Sequence, residues 1–150
     1  MIKEFEFYHG VVLTKLVQNT KSFGVKIRPY PTDSNASYIV DNDIGLYVKY
    51  SSKRMSPWRF SLQRIHQQEI VKMKNDLRDV FLVLVCGEDG LVTLSYQELT
   101  AIWNDNKNLK WISAARSPRK EYTIKGSDGI LNRKVGKSDF PRKIFESETP

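Results

Sequence analysis

The chain has 150 residues, 24 of them basic and 17 acidic, giving a net charge of +7, and it holds a single cysteine, Cys86. One domain of that size buries roughly 70% of its unfolded surface and needs no staples, and the lone thiol excludes an intramolecular disulfide and suits a reducing compartment. No apolar run approaches the roughly 18 residues of a membrane span, and charges interrupt the opening Met-Ile-Lys-Glu-Phe-Glu before any signal-peptide core can form. A soluble, cytoplasmic protein with no membrane partner is therefore expected.

In chain order, Glu6 to Gln18 reads as a helix, with Phe7, Val11, Leu13, Leu16 and Val17 near helical spacing. Polar residues 19–22 end it. Phe23 to Tyr30 alternates apolar and basic residues like a strand, stopped by Pro29 and Pro31, and 31–35 is a loop by composition. Ser37 to Val40 and Gly45 to Tyr50 flank Asp41-Asn42-Asp43, which predicts a hairpin with a short polar turn. Residues 51–57 form a loop, since Pro57 keeps Ser56 out of helical geometry. Ser61 is the expected N-cap of an amphipathic helix with the stripe Leu62, Ile65, Ile70, Met73 and Leu77.

Val80 to Cys86 has no alternation and predicts a central strand covered on both faces. Gly87-Glu88-Asp89-Gly90 turns the chain into a returning strand, Leu91 to Leu94. Ser95 and Glu98 then make a capping box for a short helix, Tyr96 to Trp103. Trp111 to Ala115 and Glu121 to Ile124 read as two more strands, the second at an edge. From Asn132 the chain is basic and poor in periodicity, so residues 132–150 are expected to form a loosely ordered tail on a domain spanning 1–131. One α/β domain with a mixed sheet flanked by helices is the expected fold.

The charge is uneven. Residues 110–143 hold ten basic and three acidic side chains, leaving 14 of each sign elsewhere, and 49–64 carries five cations and no acid. Cations gathered in this way suit a polyphosphate, where they release counterions, and the interleaved Tyr50, Trp58, Phe60, Trp111 and Tyr122 suit either base stacking or core packing. Lys53, Arg54 and Arg59 in the first cluster, and Arg116, Arg119 and Lys120 in the second, are the candidate nucleic-acid contacts. Two histidines and one cysteine cannot build a usual zinc site, and no P-loop, Gly-x-Ser-x-Gly or dinucleotide fingerprint is present.

The order helix, strand, hairpin, long helix, central strand, with Ile44-Gly45-Leu46-Tyr47-Val48-Lys49-Tyr50-Ser51-Ser52 on the third strand, resembles the PD-(D/E)XK nuclease superfamily over roughly residues 4–90. The resemblance implies a restriction-endonuclease-like αβββαβ core. It also implies an aspartate near the second strand and an acid-x-lysine pair on the third. Val48-Lys49 fits that pattern, but Tyr47 stands where the acid belongs. Asp33, 16 residues before Lys49, has a family-like spacing for the metal aspartate; Asp41 and Asp43 are closer, but their place in a short turn explains them. Glu69 on the following helix is the substitute acid, with His66 one turn earlier. Glu4 and Glu6 are further carboxylates that also read as ordinary helix N-terminal acids, and His9 reads as a polar helix residue.

Such a site would hold Mg²⁺ or Mn²⁺ on Asp33 and Glu69, with Lys49 supporting the attacking water or the scissile phosphate. Phosphodiester cleavage at neutral pH needs a hydroxide and a sink for oxyanion charge, both of which a hard cation supplies. The expected function is thus a metal-dependent nuclease with a divergent site. An inactive nucleic-acid-binding module on the same fold, favoured by Tyr47, and a protein-interaction domain with a basic surface are the alternatives. Nucleic acid, DNA in the first place, is the expected partner, with nucleoid association in that case, and a homodimer is compatible with these features.

Overall fold

A computed structural model describes residues 1–20, 24–103 and 109–147. They form an α/β body with two sheets. The first is mixed, ordered β1 (Ile27–Pro29), β2 (Ser37–Val40), β3 (Ile44–Ser51), β5 (Asp79–Cys86), β6 (Gly90–Ser95). Within it β3 and β5 run parallel, and the other neighbours are antiparallel. The crossover between the parallel pair carries β4 (Trp58–Leu62) and helix α2 (Arg64–Asp76), as a parallel connection requires. The second sheet is antiparallel, ordered β4, β7 (Lys110–Ala115), β8 (Thr123–Gly126), β9 (Gly129–Ile130).

The unbroken apolar run of β5 sits between β3 and β6 and feeds two cores at once. Leu82, Leu84 and Cys86 face one core, shared with Ile70 and Met73 of α2, α3 (Tyr96–Ile102) and the inner face of the second sheet. Phe81, Val83 and Val85 face the other, covered by Val12 and Leu16 of α1 (Glu4–Gln18) and by Phe140 and Ile144 of α4 (Asp139–Ser147). Strand period two sends successive side chains to opposite faces, so only a continuous run can fill both. The hairpin β2–β3 pairs Val40 with Ile44 across its polar turn. The α3 capping box forms as expected: the Glu98 backbone N–H donates to Ser95 Oγ at 3.1 Å, and the Ser95 N–H donates to Glu98 Oε1 at 3.0 Å. No described helix is long and apolar enough to cross a membrane.

The structure corrects four expectations. Ser61 does not cap a helix: Trp58-Arg59-Phe60-Ser61-Leu62 alternates buried and exposed as β4, and α2 begins only at Arg64 after its N-cap Gln63. Leu62, which fitted a helical stripe with Ile70, belongs to the strand period instead, and Ile65 faces solvent. The strand after residue 23 is short, Ile27–Pro29, and Phe23 lies outside the described residues. The strand near Glu121 starts at Thr123 and is not an edge, since β9 pairs with it.

The fourth concerns the expected tail. Within it α4 packs Phe140, Pro141 and Ile144 into the core beside α1, and Lys143 Nζ donates to Thr93 O at 3.0 Å. The stretch is basic, yet it supplies apolar anchors on either side of a kink: Phe140 has extended backbone, and Ile144 lies on the helix that follows. Asp139 and Arg142 on the outer side hold an ion pair at 2.5 Å.

Candidate functional site

The chemistry gathers at the end of β3. Beyond the Ser37–Tyr47 pair, β2 has ended, and the last link on that side is the Val48 N–H donating to Ala36 O at 2.8 Å. The opposite edge of β3 stays paired with β5 as far as Ser51–Cys86. Among the described residues one edge of 49–51 is therefore without a strand partner, and beside it lies a cleft of about 450 Å³ between α1 and α2. Tyr47 and Lys49 point to the α2 side, and Val48 and Tyr50 to the α1 side, as strand alternation dictates. Phe5, His9, Ser34 and His66 complete most of the lining.

Tyr47, where the resemblance called for an acid, is fully buried and binds one. Its hydroxyl donates to Glu69 Oε1 at 2.5 Å, and Ser34 Oγ donates to the same oxygen at 2.6 Å. The Ser34 N–H reaches Glu69 Oε2 at 3.4 Å. Burial first, then the Glu69 carboxylate, pushes the Tyr47 phenol well above its ordinary range, so it keeps its proton and donates it to Glu69. A buried phenol needs a partner for its O–H, and α2 supplies it.

Lys49 is half-buried and makes no hydrogen bond or ion pair among the described residues, although it feels the field of Glu69. Burial lowers its pKa, and Glu69 works against that shift. Burial and then Lys49 lower the His66 pKa, with Glu69 working against them. Its Nδ1 accepts the Gln63 backbone N–H at 3.1 Å, which places the ring proton on Nε2. His9, also lowered by burial, shares a 2.8 Å hydrogen bond between Nδ1 and the Tyr38 hydroxyl. The cleft thus presents an ammonium and an imidazole that carries an N–H, while the Ser34 O–H is held by Glu69. That set suits an anion.

Of the predicted catalytic trio, the structure brings Lys49 and Glu69 into electrostatic reach of each other. Asp33 is exposed and lies in a separate hollow of about 220 Å³, which Glu69, Tyr30, Ile65 and Lys72 also border. Among the described residues no three or more His, Cys, Asp or Glu side chains gather into a metal-holding group. The donor set does not fit Mg²⁺ or Mn²⁺. A hard cation wants about six oxygens, whereas Glu69 has one oxygen committed to two hydroxyls and an ammonium for a neighbour. The other acids have structural roles: Asp41 Oδ1 accepts the Lys26 N–H at 3.1 Å, Asp43 pairs with Arg78 at 3.0 Å, and Glu6 Oε1 accepts the Lys3 N–H at 3.0 Å. Cys86 is buried, and burial pushes its thiol up to about 12, which makes it inert.

The two basic clusters differ once folded. Six of the ten cations in 110–143 are paired with carboxylates: Lys110 with Asp128, Arg116 and Lys137 with Asp89, Arg133 and Lys143 with Glu98, and Arg142 with Asp139 and Glu146. Asp89, Glu98 and Glu146 lie outside that stretch, so counting along the chain missed them. Arg116, a predicted phosphate contact, is bidentate on Asp89 at 2.5 and 2.8 Å, while Arg119 and Lys120 are exposed. Lys53, Arg54 and Arg59 in the first cluster are exposed and free of carboxylate partners among the described residues; Lys53 Nζ donates to Pro57 O, and the Arg59 guanidinium lies 4.4 Å from the Trp111 ring centre.

The sequence reading missed Ser34 and the pairing of Tyr47 with Glu69. The one signal available was a tyrosine, a side chain with a polar handle, at a position that should have held an acid. No family model matches the chain, and no curated protein or solved structure matches it.

Proposed function

We propose that the domain binds nucleic acid, with a backbone phosphate in the β3–α2 cleft against Lys49, and that it does so without a divalent metal. The carrying observation is the Lys49 ammonium, half-buried at a free sheet edge and unpaired among the described residues. A desolvated cation of this kind is stabilised by an arriving anion, and hydrogen bonds to an ionised group are the stronger ones. His66 Nε2–H offers a further donor to the same phosphate. The exposed cations Lys53, Arg54 and Arg59 follow Lys49 directly in the chain and extend a positive field away from the cleft.

The parallel β3–β5 pair with α2 in its crossover supports a restriction-endonuclease-like core. The phenol–carboxylate pair at the acid position favours the binding module on that core over the nuclease. The test is fluorescence anisotropy with labelled duplex and single-stranded oligonucleotides over a salt series, together with a cleavage assay in Mg²⁺ and Mn²⁺. Binding that falls steeply with salt and weakens in Lys49→Ala, with no cleavage, is the expected result. Metal-dependent cleavage abolished by both Lys49→Ala and Glu69→Gln would reinstate the nuclease. Absence of binding at low salt would leave the interaction domain.

A further inference from the structure

We infer that the solvent face of the four-stranded sheet is a docking platform for single-stranded nucleic acid, its bases stacking on the Arg59–Trp111 pair. This rests on nucleic acid being the ligand but on none of the residues of the β3–α2 cleft. The inner face of that sheet is core: Trp58, Phe60, Leu62, Ile112, Ala114 and Ile124 are all buried. Alternation therefore turns the intervening residues outward. The strand registers align Arg59, Ser113, Lys125 and Ile130 in one row across all four strands, with Ser61 opposite Trp111 in the neighbouring row.

That face has a composition suited to one occupant. Its outward strand residues include two cations, Arg59 and Lys125, and no Asp or Glu. Neither cation has a carboxylate partner among the described residues, in contrast to Arg116, Arg133 and Lys143 nearby in sequence. The two stand two strand spacings apart, about 10 Å, on opposite sides of the face. Between sheet and solvent, the Arg59 guanidinium lies over the half-buried Trp111 indole at 4.4 Å, and Ile130 is 64% exposed.

Charge complementarity selects a polyanion, and the stacked planar groups select its class. Guanidinium and indole planes receive the π-faces of bases, which a duplex keeps inside its own stack and a single strand presents freely. Hydroxyls of Ser61, Ser113 and Thr123 on the same face supply donors for phosphate or base edges.

Intrinsic fluorescence provides the test, because Trp58 and Trp103 are buried, at 2% and 5% exposure, and Trp111 is the tryptophan open to a base. Titration of the full chain with short oligo-dT should quench tryptophan emission, and a duplex of equal length should quench it far less. Trp111→Phe should abolish the quench while retaining binding by anisotropy. Arg59→Glu combined with Lys125→Glu should weaken oligo-dT binding about tenfold or more, stacking on one base being commonly worth that much. Circular dichroism confirms that each variant folds. Quenching by oligo-dT that survives Trp111→Phe, or oligo-dT affinity untouched by the double charge reversal in a folded variant, overturns the platform. Loss of binding only in Lys49→Ala would leave the cleft proposal standing without it, and binding by neither surface would remove both.

Discussion

Asp89 lies in the β5–β6 turn and ties three separate elements together. Its carboxylate takes two hydrogen bonds from Arg116, at 2.5 and 2.8 Å, and a third from the Tyr122 hydroxyl, with Lys137 Nζ at 3.7 Å. The Arg116 hydrogen bonds, helped by Tyr122 and Lys137 and opposed by burial, bring its pKa down from 3.8 to about 2. At 1.36 kcal/mol per pKa unit the shift is worth roughly 2 kcal/mol, and screening of a carboxylate still one-fifth open to water trims this to about 1–2 kcal/mol. The group binds protons less readily folded than unfolded. Its contribution is therefore complete above the unfolded pKa near 4, and it is lost as pH falls through about 2. Asp89→Asn removes the charge and keeps the shape. In urea denaturation followed by circular dichroism, the variant should be less stable by about 1–2 kcal/mol at neutral pH, and the gap should narrow to roughly half by about pH 3. A gap that stays constant from neutral pH to about pH 3, or no gap at neutral pH, would refute the linkage to Asp89.

Lys110 and Asp128 form an ion pair at 2.6 Å with the lysine side chain 4% exposed, so Lys110→Met, which breaks this buried pair, should cost about 3–5 kcal/mol by urea denaturation. Ser95→Ala removes the acceptor for the Glu98 N–H and should lower stability by about 1 kcal/mol, read in the same assay. His9 is buried and its pKa is lowered, so protonating it opposes folding. Stability should fall as pH drops below the unfolded value near 6.5, and His9→Gln, which keeps a polar partner for Tyr38, should flatten the thermal-melt profile between neutral pH and about pH 5. Leu82→Ala in the central strand opens a cavity where exposure is 1% and should cost about 2–5 kcal/mol in chemical denaturation.

What the sequence determined by itself was local. The β2–β3 hairpin, the β5 run covered on both faces, and the Ser95–Glu98 box all rest on spacings of two to four residues, so the chain carries their signal within a short window. Tertiary structure decided whatever depends on partners far apart in sequence. Trp58 to Leu62 fits a strand and a helix entry equally well until β7 arrives to pair with it. Phe140 and Ile144 dock the C-terminal segment only where β6 and α1 offer an apolar face. The C-terminal charge excess shrinks because Asp89 and Glu98 come from distant positions, and carboxylates pair with whichever cations stand near them in space. At the cleft, Lys49 and Glu69 were legible as chemistry-bearing residues. That Glu69 would meet Tyr47 and Ser34, with Asp33 outside the Lys49 cleft, depended on how α2 crosses the sheet, and no spacing along the chain encodes that crossing.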